Sequence, residues 1–211
     1  VGPTANDVAQ VTVLNGVTSY YTTVKAAMEA ANNSTEQAEV TLLKDAKLTE
    51  DCSFKGTQAS GTDLVIPEGK TLEITDSVTF TNDESVIIDG ALTKNANATI
   101  TGIGCFCVKT ESNLHSIMDA YTPVTTGSYR CRINISDSMT LTKDLTVKAN
   151  TKLICNSDVT IPTGKTVTVE QSGMLQNLAG LTVYGTVKSN GWYMNYSGTT
   201  DVKAGGKLIA S

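Results

Sequence analysis

Apolar and polar residues alternate in short bursts along most of this chain, at residues 11–14, 40–43, 64–66, 72–74, 78–80, 86–88 and 98–100, with further pieces around Leu48 and Phe54. The second half repeats the habit at residues 105–108, 133–135, 145–147, 159–161, 181–183 and 201–203. A period of two predicts strands, and the Gly, Asn, Asp and Pro between them predict corners. Two stretches break the rhythm. Val24, Ala27, Met28 and Ala31 fall at helical spacing, with Thr22 or Thr23 as cap and Asn32-Asn33 as stop; Leu114, Ile117, Met118 and Tyr121 do the same over residues 113–121.

One motif returns. Ile66, Pro67, Glu68, Gly69, Lys70, Thr71 and Leu72 reappear as Ile161, Pro162, Thr163, Gly164, Lys165, Thr166 and Val167, an offset of 165 − 70 = 95. Each copy reads as strand, tight turn, strand, with proline presetting the first corner of a type I turn and glycine easing the exit. Residues 86–92 match 181–187 at the same offset, residues 40–51 match 133–144 at 133 − 40 = 93, and the helical stripe recurs at 114 − 24 = 90. The pattern predicts a tandem duplication, with a linker over 1–9 and related segments over 10–109 and 110–211, each led by a short helix.

Within the second segment the strands begin at 145, 159, 181 and 201, which is 14, 22 and 20 apart. Short strands at a spacing near twenty, broken by corner residues, predict an all-β parallel solenoid, in which each turn buries its apolar side by stacking on the next. A β-sandwich also uses many short strands, but its strands usually run to about 5–6 residues. Solenoid ends need covers, and the short helices fit that task.

Composition narrows the partners. With 40% hydrophobic residues in 211 the chain can hold a real core, while 5% aromatic and 18% charged residues favour β structure with many corners. A net charge of −5 offers no basic face for nucleic acid or anionic lipid. No run of about 18 apolar residues predicts a membrane span, and the first residues lack the basic-then-apolar pattern of an export signal. Cys52, Cys105, Cys107, Cys131 and Cys155 are odd in number and scattered, so at least one is unpaired within the chain. Cys105 and Cys107 share one face of a strand and are expected as small core fillers. Neither metal nor cofactor is expected, because no histidine stands near a cysteine pair.

The leading helix at residues 21–31, the strand Val40, Thr41, Leu42, Leu43 and the two Ile-Pro-x-Gly-Lys-Thr motifs together resemble the repeat-built cell-surface proteins of bacteria, whose shape is a right-handed parallel β-helix like that of pectin lyases. The chain departs from them at Gln37, Ala38 and Glu39, where that family commonly has Gly-Asp, and in the longer loop after Tyr121. The resemblance implies a secreted or surface-attached protein in adhesion or glycan association, with an extracellular glycan or a host or cell-surface protein as partner. It carries no catalytic residues.

Candidate chemistry is sparse. Gly-Lys-Thr at 69–71 and 164–166 is no phosphate loop, because Leu64 and Val159 stand where that loop needs glycine and a strand follows where it needs a helix. His115, the single histidine, takes the place of Lys25 on the outward side of its helix and is expected in solvent. Asp76, Asp83, Glu84 and Asp89 cluster as solvated corner acids, and Arg130 and Arg132 as solvent-facing cations; their alternative use is in a polysaccharide hydrolase or lyase, which needs converging carboxylates or a base with a uronate clamp. The aromatic run Tyr184, Trp192, Tyr193 and Tyr196 is the most suggestive feature. Trp192, Met194 and Tyr196 share one strand face and Tyr193 takes the other; flat rings suit sugars, and Asn190 and Asn195 could bond their hydroxyls. The same rings could instead plug the C-terminal end. The expected function is therefore non-enzymatic adhesion or glycan binding on a stiff solenoid, against a polysaccharide-cleaving enzyme or a plain structural spacer.

Overall fold

The computed structural model describes residues 2–55, 61–124 and 131–210. The chain forms two compact units, one of residues 1–105 with 120–122, the other of residues 106–119 with 123–211.

The first unit opens with β1 (Ala9–Val13) and β2 (Thr18–Tyr21), an antiparallel pair, followed by α1 (Val24–Asn32). Thr23 caps α1 by accepting the Ala26 N–H at 3.2 Å, and Val24, Ala27, Met28 and Ala31 form its buried face against β1, β3 and β5. The strands β3 (Ala38–Leu42), β4 (Ala46–Leu48), β5 (Cys52–Phe54), β6 (Asp63–Ile66), β7 (Thr71–Ile74), β8 (Thr79–Asn82), β9 (Ser85–Ile88), β10 (Ala91–Lys94) and β11 (Thr99–Thr101) then coil. Each strand from β3 to β8 pairs in parallel with the third strand after it, as β3 with β6 and β6 with β9. Inward residues stack in register, for example Ala46 on Leu72 on Leu92, and Cys52 on Phe80 on Ile100. Each fully buried Leu, Ile or Phe in such a column contributes about 1.5–3 kcal/mol.

The second unit holds the inner face of β12 (Cys105–Val108), then α2 (Glu111–Ala120), and four turns built from β13 (Cys131–Ile135), β14 (Met139–Thr140), β15 (Leu145–Val147), β16 (Thr151–Cys155), β17 (Val159–Ile161), β18 (Thr166–Val169), β19 (Met174–Asn177), β20 (Gly180–Val183), β21 (Thr186–Ser189), β22 (Trp192–Asn195), β23 (Thr199–Val202) and β24 (Lys207–Ala210). The same parallel rule holds, with a turn of 159 − 139 = 20 residues from Met139 to its partner Val159 and 181 − 159 = 22 from Val159 to Leu181. Each unit is a parallel β-solenoid, which excludes the sandwich alternative.

Several expectations change in detail. In the repeated corner the Lys70 N–H donates to Pro67 O at 3.0 Å and Lys165 N–H to Pro162 O at 3.1 Å, with φ of +71° at Gly69 and +79° at Gly164. Glycine in the third turn position with positive φ is the type II pattern, so the expected type I turn is replaced. The 95-residue repeat also moves by one side of the coil. Its first copy joins the first and second strands of a turn, β6 and β7, while its second joins the second and third, β17 and β18. Ser77 and Ser172, again 95 apart and both at φ +65°, follow the same shift.

The strand β1 takes in Ala9 from the expected linker, and Asp7 accepts the Thr4 N–H and hydroxyl just before it. Helix α2 starts at Glu111, two residues earlier than expected, because the Thr110 hydroxyl accepts the Asn113 N–H at 3.2 Å. Tyr121 lies past that helix, bridges Ile100 in parallel and donates its hydroxyl to Gly102 O at 2.8 Å. On β12 Phe106 and Val108 are fully buried; Cys105, on the other face, is buried as well, while Cys107 beside it is only half-buried.

Candidate functional site: an apolar side of the second unit

The three sides of the second unit differ. On the side built by β14, β17, β20 and β23 the outward column is Thr140, Thr160, Thr182 and Asp201; on that of β15, β18, β21 and β24 it is Thr146, Thr168, Lys188 and Ile209. The side built by β13, β16, β19 and β22 carries two other columns. One runs Arg132, Lys152, Met174, Trp192, and the other Asn134, Ile154, Gln176, Met194. The inward columns between them are apolar, Ile133 on Leu153 on Leu175 on Tyr193. Parallel pairing in register is what puts these outward residues, about 20 positions apart in sequence, next to one another.

Trp192 is 58% exposed, beside buried Met174 and part-exposed Met194. Gln176 is only 9% exposed, yet its Oε1 has no hydrogen-bond partner; Asn134 Oδ1 in the same column lacks one too, while Asn134 Nδ2 reaches Cys107 Sγ at 4.0 Å. An unpaired buried carbonyl oxygen costs about 1–3 kcal/mol, so a donor that reached either amide would gain that much.

The expected site residues separate. Trp192 lies on this outward side and Tyr196, 75% exposed, directly follows β22. Tyr193 points inward at the end of the apolar column, where burial pushes its phenol up against the opposing effect of its hydrogen bond with the Thr200 hydroxyl. Asn195 accepts from Asn177 Nδ2 at 3.0 Å, so its amide serves the stacked asparagines at the corner after β22. Tyr184 sits at the corner between β20 and β21, and Asn190 at the corner between β21 and β22, so neither joins the Trp192 side. Met174, Ile154 and Gln176 were not anticipated. The signal for them is the broken alternation in Leu153, Ile154, Cys155 and in Met174, Leu175, where outward positions are apolar as well.

The acids are committed elsewhere. Asp45, Asp51, Asp76 and Asp83 accept the N–H groups of Thr71, Thr79, Asn97 and Ile103, and Asp144 and Asp158 accept those of Thr166 and Gly180, each from a later turn. Glu84 and Asp89 stand at the corners flanking β9. A groove of about 490 Å³ in the first unit is lined by Thr22, Thr23, Asp45, Lys47, Thr71 and Glu73, where Lys47 pairs with Glu73 at 3.0 Å. His115 is half-buried rather than solvated, with Nε2 3.4 Å from Glu111 Oε1. Arg132 is exposed; Arg130 lies outside the described residues. Among the described residues no group of three or more His, Cys, Asp and Glu could hold a metal, and no helix is long and apolar enough to cross a membrane. Burial pushes the Cys52 thiol up to about 11 and the Cys155 thiol up to about 12, which makes both poor nucleophiles.

No family model matches the chain, and neither the curated proteins nor the solved structures contain a match to it.

Proposed function

We propose that this chain is a non-enzymatic adhesive module of a bacterial secreted or surface protein, which holds a glycan on the outward side of β16, β19 and β22. The observation that carries the reading is Trp192, an exposed indole on the outward side of β22, with the buried Gln176 amide oxygen on the adjacent β19 lacking a donor. A sugar ring offers an apolar CH face to the indole and hydroxyl donors to Gln176 Oε1, which is the combination a ligand site uses for affinity and orientation. The corner roles of Asp76, Asp83, Asp144 and Asp158 support binding over cleavage, since hydrolysis needs carboxylates free to face one another across a substrate.

The test is a glycan array probed with the chain and with Trp192→Ala, with released products analysed by mass. The expected outcome is binding that falls about tenfold in the variant, the effect of losing roughly 1.4 kcal/mol, without sugar fragments and with an unchanged melting temperature. Released fragments would replace the reading with a polysaccharide-cleaving enzyme, and silence across the array would leave a structural spacer.

A further inference from the structure

The chain holds two Asn-Gly pairs, Asn15-Gly16 and Asn190-Gly191, and both asparagines are exposed. Such a pair is open to an uncatalysed reaction: the glycine nitrogen, once it has given up its proton, attacks the side-chain Cγ of the asparagine, and no Cβ on the glycine obstructs the approach. In the first pair both groups are committed. The Gly16 N–H donates to Val13 O at 2.8 Å, and Asn15 Nδ2 donates to Glu36 Oε1 at 2.8 Å. In the second pair, among the described residues, neither the Gly191 N–H nor the Asn190 side chain has a hydrogen-bond partner. The bonds of that corner come from the groups on either side, Asn190 N–H to Val169 O at 2.8 Å and Trp192 N–H to Gly173 O at 2.9 Å.

We propose that Asn190 is a site of spontaneous deamidation, and that its isoaspartyl product detaches β22 from β19. Gly191 N forms a bond to Asn190 Cγ, the Cγ–Nδ2 bond breaks, and Nδ2 leaves as ammonia with the proton that Gly191 N gave up. Water then opens the cyclic imide, at Cγ to give aspartate or at the main-chain carbonyl to give isoaspartate; it is the only co-reactant. Isoaspartate routes the main chain through the former side chain and lengthens it by one carbon. The corner has no room for it, since a carbon added on Gly191 Cα would lie 2.3 Å from Glu170 O and 2.4 Å from Gly173 O. The longer chain fits only by moving away from the turn above, which breaks the Trp192 N–H bond to Gly173 O at the head of the β19–β22 pairing. Ordinary aspartate keeps the chain length and adds only a charge.

The test incubates the chain in mild base, folded in one sample and unfolded in urea in the other. Peptides carrying Asn15 and Asn190 are followed by mass spectrometry, with electron-based fragmentation to separate aspartate from isoaspartate. In the folded chain Asn190 is expected to react at least about tenfold faster than Asn15, the factor that one ordinary hydrogen bond on the attacking N–H imposes. In urea the two rates should converge, because the two pairs are chemically alike. Hydrogen exchange then compares the aged chain with fresh chain, with Asn190→Asp and with Asn190→Ser carried through the same incubation. The aged isoaspartyl chain should exchange its β22 amides at least about tenfold faster than the other three. An intact Asn190, equal rates at the two sites in the folded chain, or a preference undiminished in urea overturns the structural account of the modification. Isoaspartate with unchanged exchange in β22, or Asn190→Asp exchanging as fast as the aged chain, overturns the detachment.

Discussion

Gly164 and Gly185 sit in stacked corners of the second unit for different physical reasons. At Gly164 φ is +79° and a Cβ would meet open space, so the requirement is conformational alone. At Gly185, directly beneath, an added Cβ would fall 2.2 Å from Lys165 O and 2.3 Å from Pro162 O, a collision with backbone that no rotamer relieves. The N–H groups of Gly185 and Thr186 donate upward to Ile161 O and Lys165 O, so the corner cannot retreat without losing them. Asparagine tolerates positive φ but has a Cβ. Gly164→Asn is therefore expected to cost only a few tenths of a kcal/mol and Gly185→Asn about 1–3 kcal/mol or more, read as the difference in urea midpoint. Gly90 stands under Pro67 and Lys70 in the same way, with contacts of 2.3 and 2.1 Å, and gives an independent copy of the comparison with Gly69. Equal losses at 164 and 185 would show that conformation, not close stacking, governs the corner.

Among the elements, α2 is tied down by one side chain. Glu111 accepts the Thr142 N–H at 2.6 Å, the Thr142 hydroxyl at 2.7 Å and the Lys143 N–H at 3.0 Å, which fastens the first turn of the helix to the corner between β14 and β15. Burial pushes the Glu111 carboxyl up, but these hydrogen bonds, with His115 beside it, outweigh that and hold it below the usual carboxylate range. A depressed pKa means the folded state prefers the ionised form, so the stabilisation is present in full above the ordinary glutamate value near 4.5 and is lost as the pH falls through the lower folded value. The melting temperature should drop over that acid window, and Glu111→Gln should flatten this part of the drop while lowering stability at pH 7. A variant as steep as the parent in acid would show that other carboxylates set the slope.

That hook joins residues 31 apart and left no mark in the sequence, whereas the helices, and most strands of both coils, followed from periods of 3.6 and 2. The strands missed by period were informative. β16 and β19 fail the alternation because Ile154 and Met174 are apolar at outward positions, and Met174 is the residue in register with Trp192. The Ile-Pro-x-Gly-Lys-Thr repeat was legible as a corner, but which corner was not, since local turn chemistry is the same on every side of a coil while the side is set by counting whole strands. For the same reason the sequence grouped Tyr184 and Asn190 with Trp192, although Tyr184 stands at a corner of the turn before and Asn190 at the corner that leads into β22.

At the scale of the whole molecule, stability in a solenoid is a sum over turns and the interfaces between them, so a turn with one neighbour is held less firmly than a turn with two. The fourth turn of the second unit, β22 to β24, shows this in its side chains. Val202 and Leu208 stack in register under Val183 and Val187, but are 43% and 45% exposed where the residues above them are fully buried. Backbone groups of this turn bond to the turn above, as in Trp192 N–H to Gly173 O and Lys207 N–H to Gly185 O, both 2.9 Å, so the strands form although half their apolar burial is missing. The free energy of local opening should therefore be lower there than one turn up. Hydrogen exchange followed by mass spectrometry should find the amides of β22–β24 exchanging at least about tenfold faster than those of β19–β21, a difference of roughly 1.4 kcal/mol in opening. A glycan seated on Trp192 binds the formed turn and not the opened one, so it should slow exchange in β22 and in its partner β19 by mass action. Faster exchange without such protection would keep the fraying and reject Trp192 as the ligand's anchor; equal exchange in both turns, independent of protein concentration, would reject the additive picture of the coil itself.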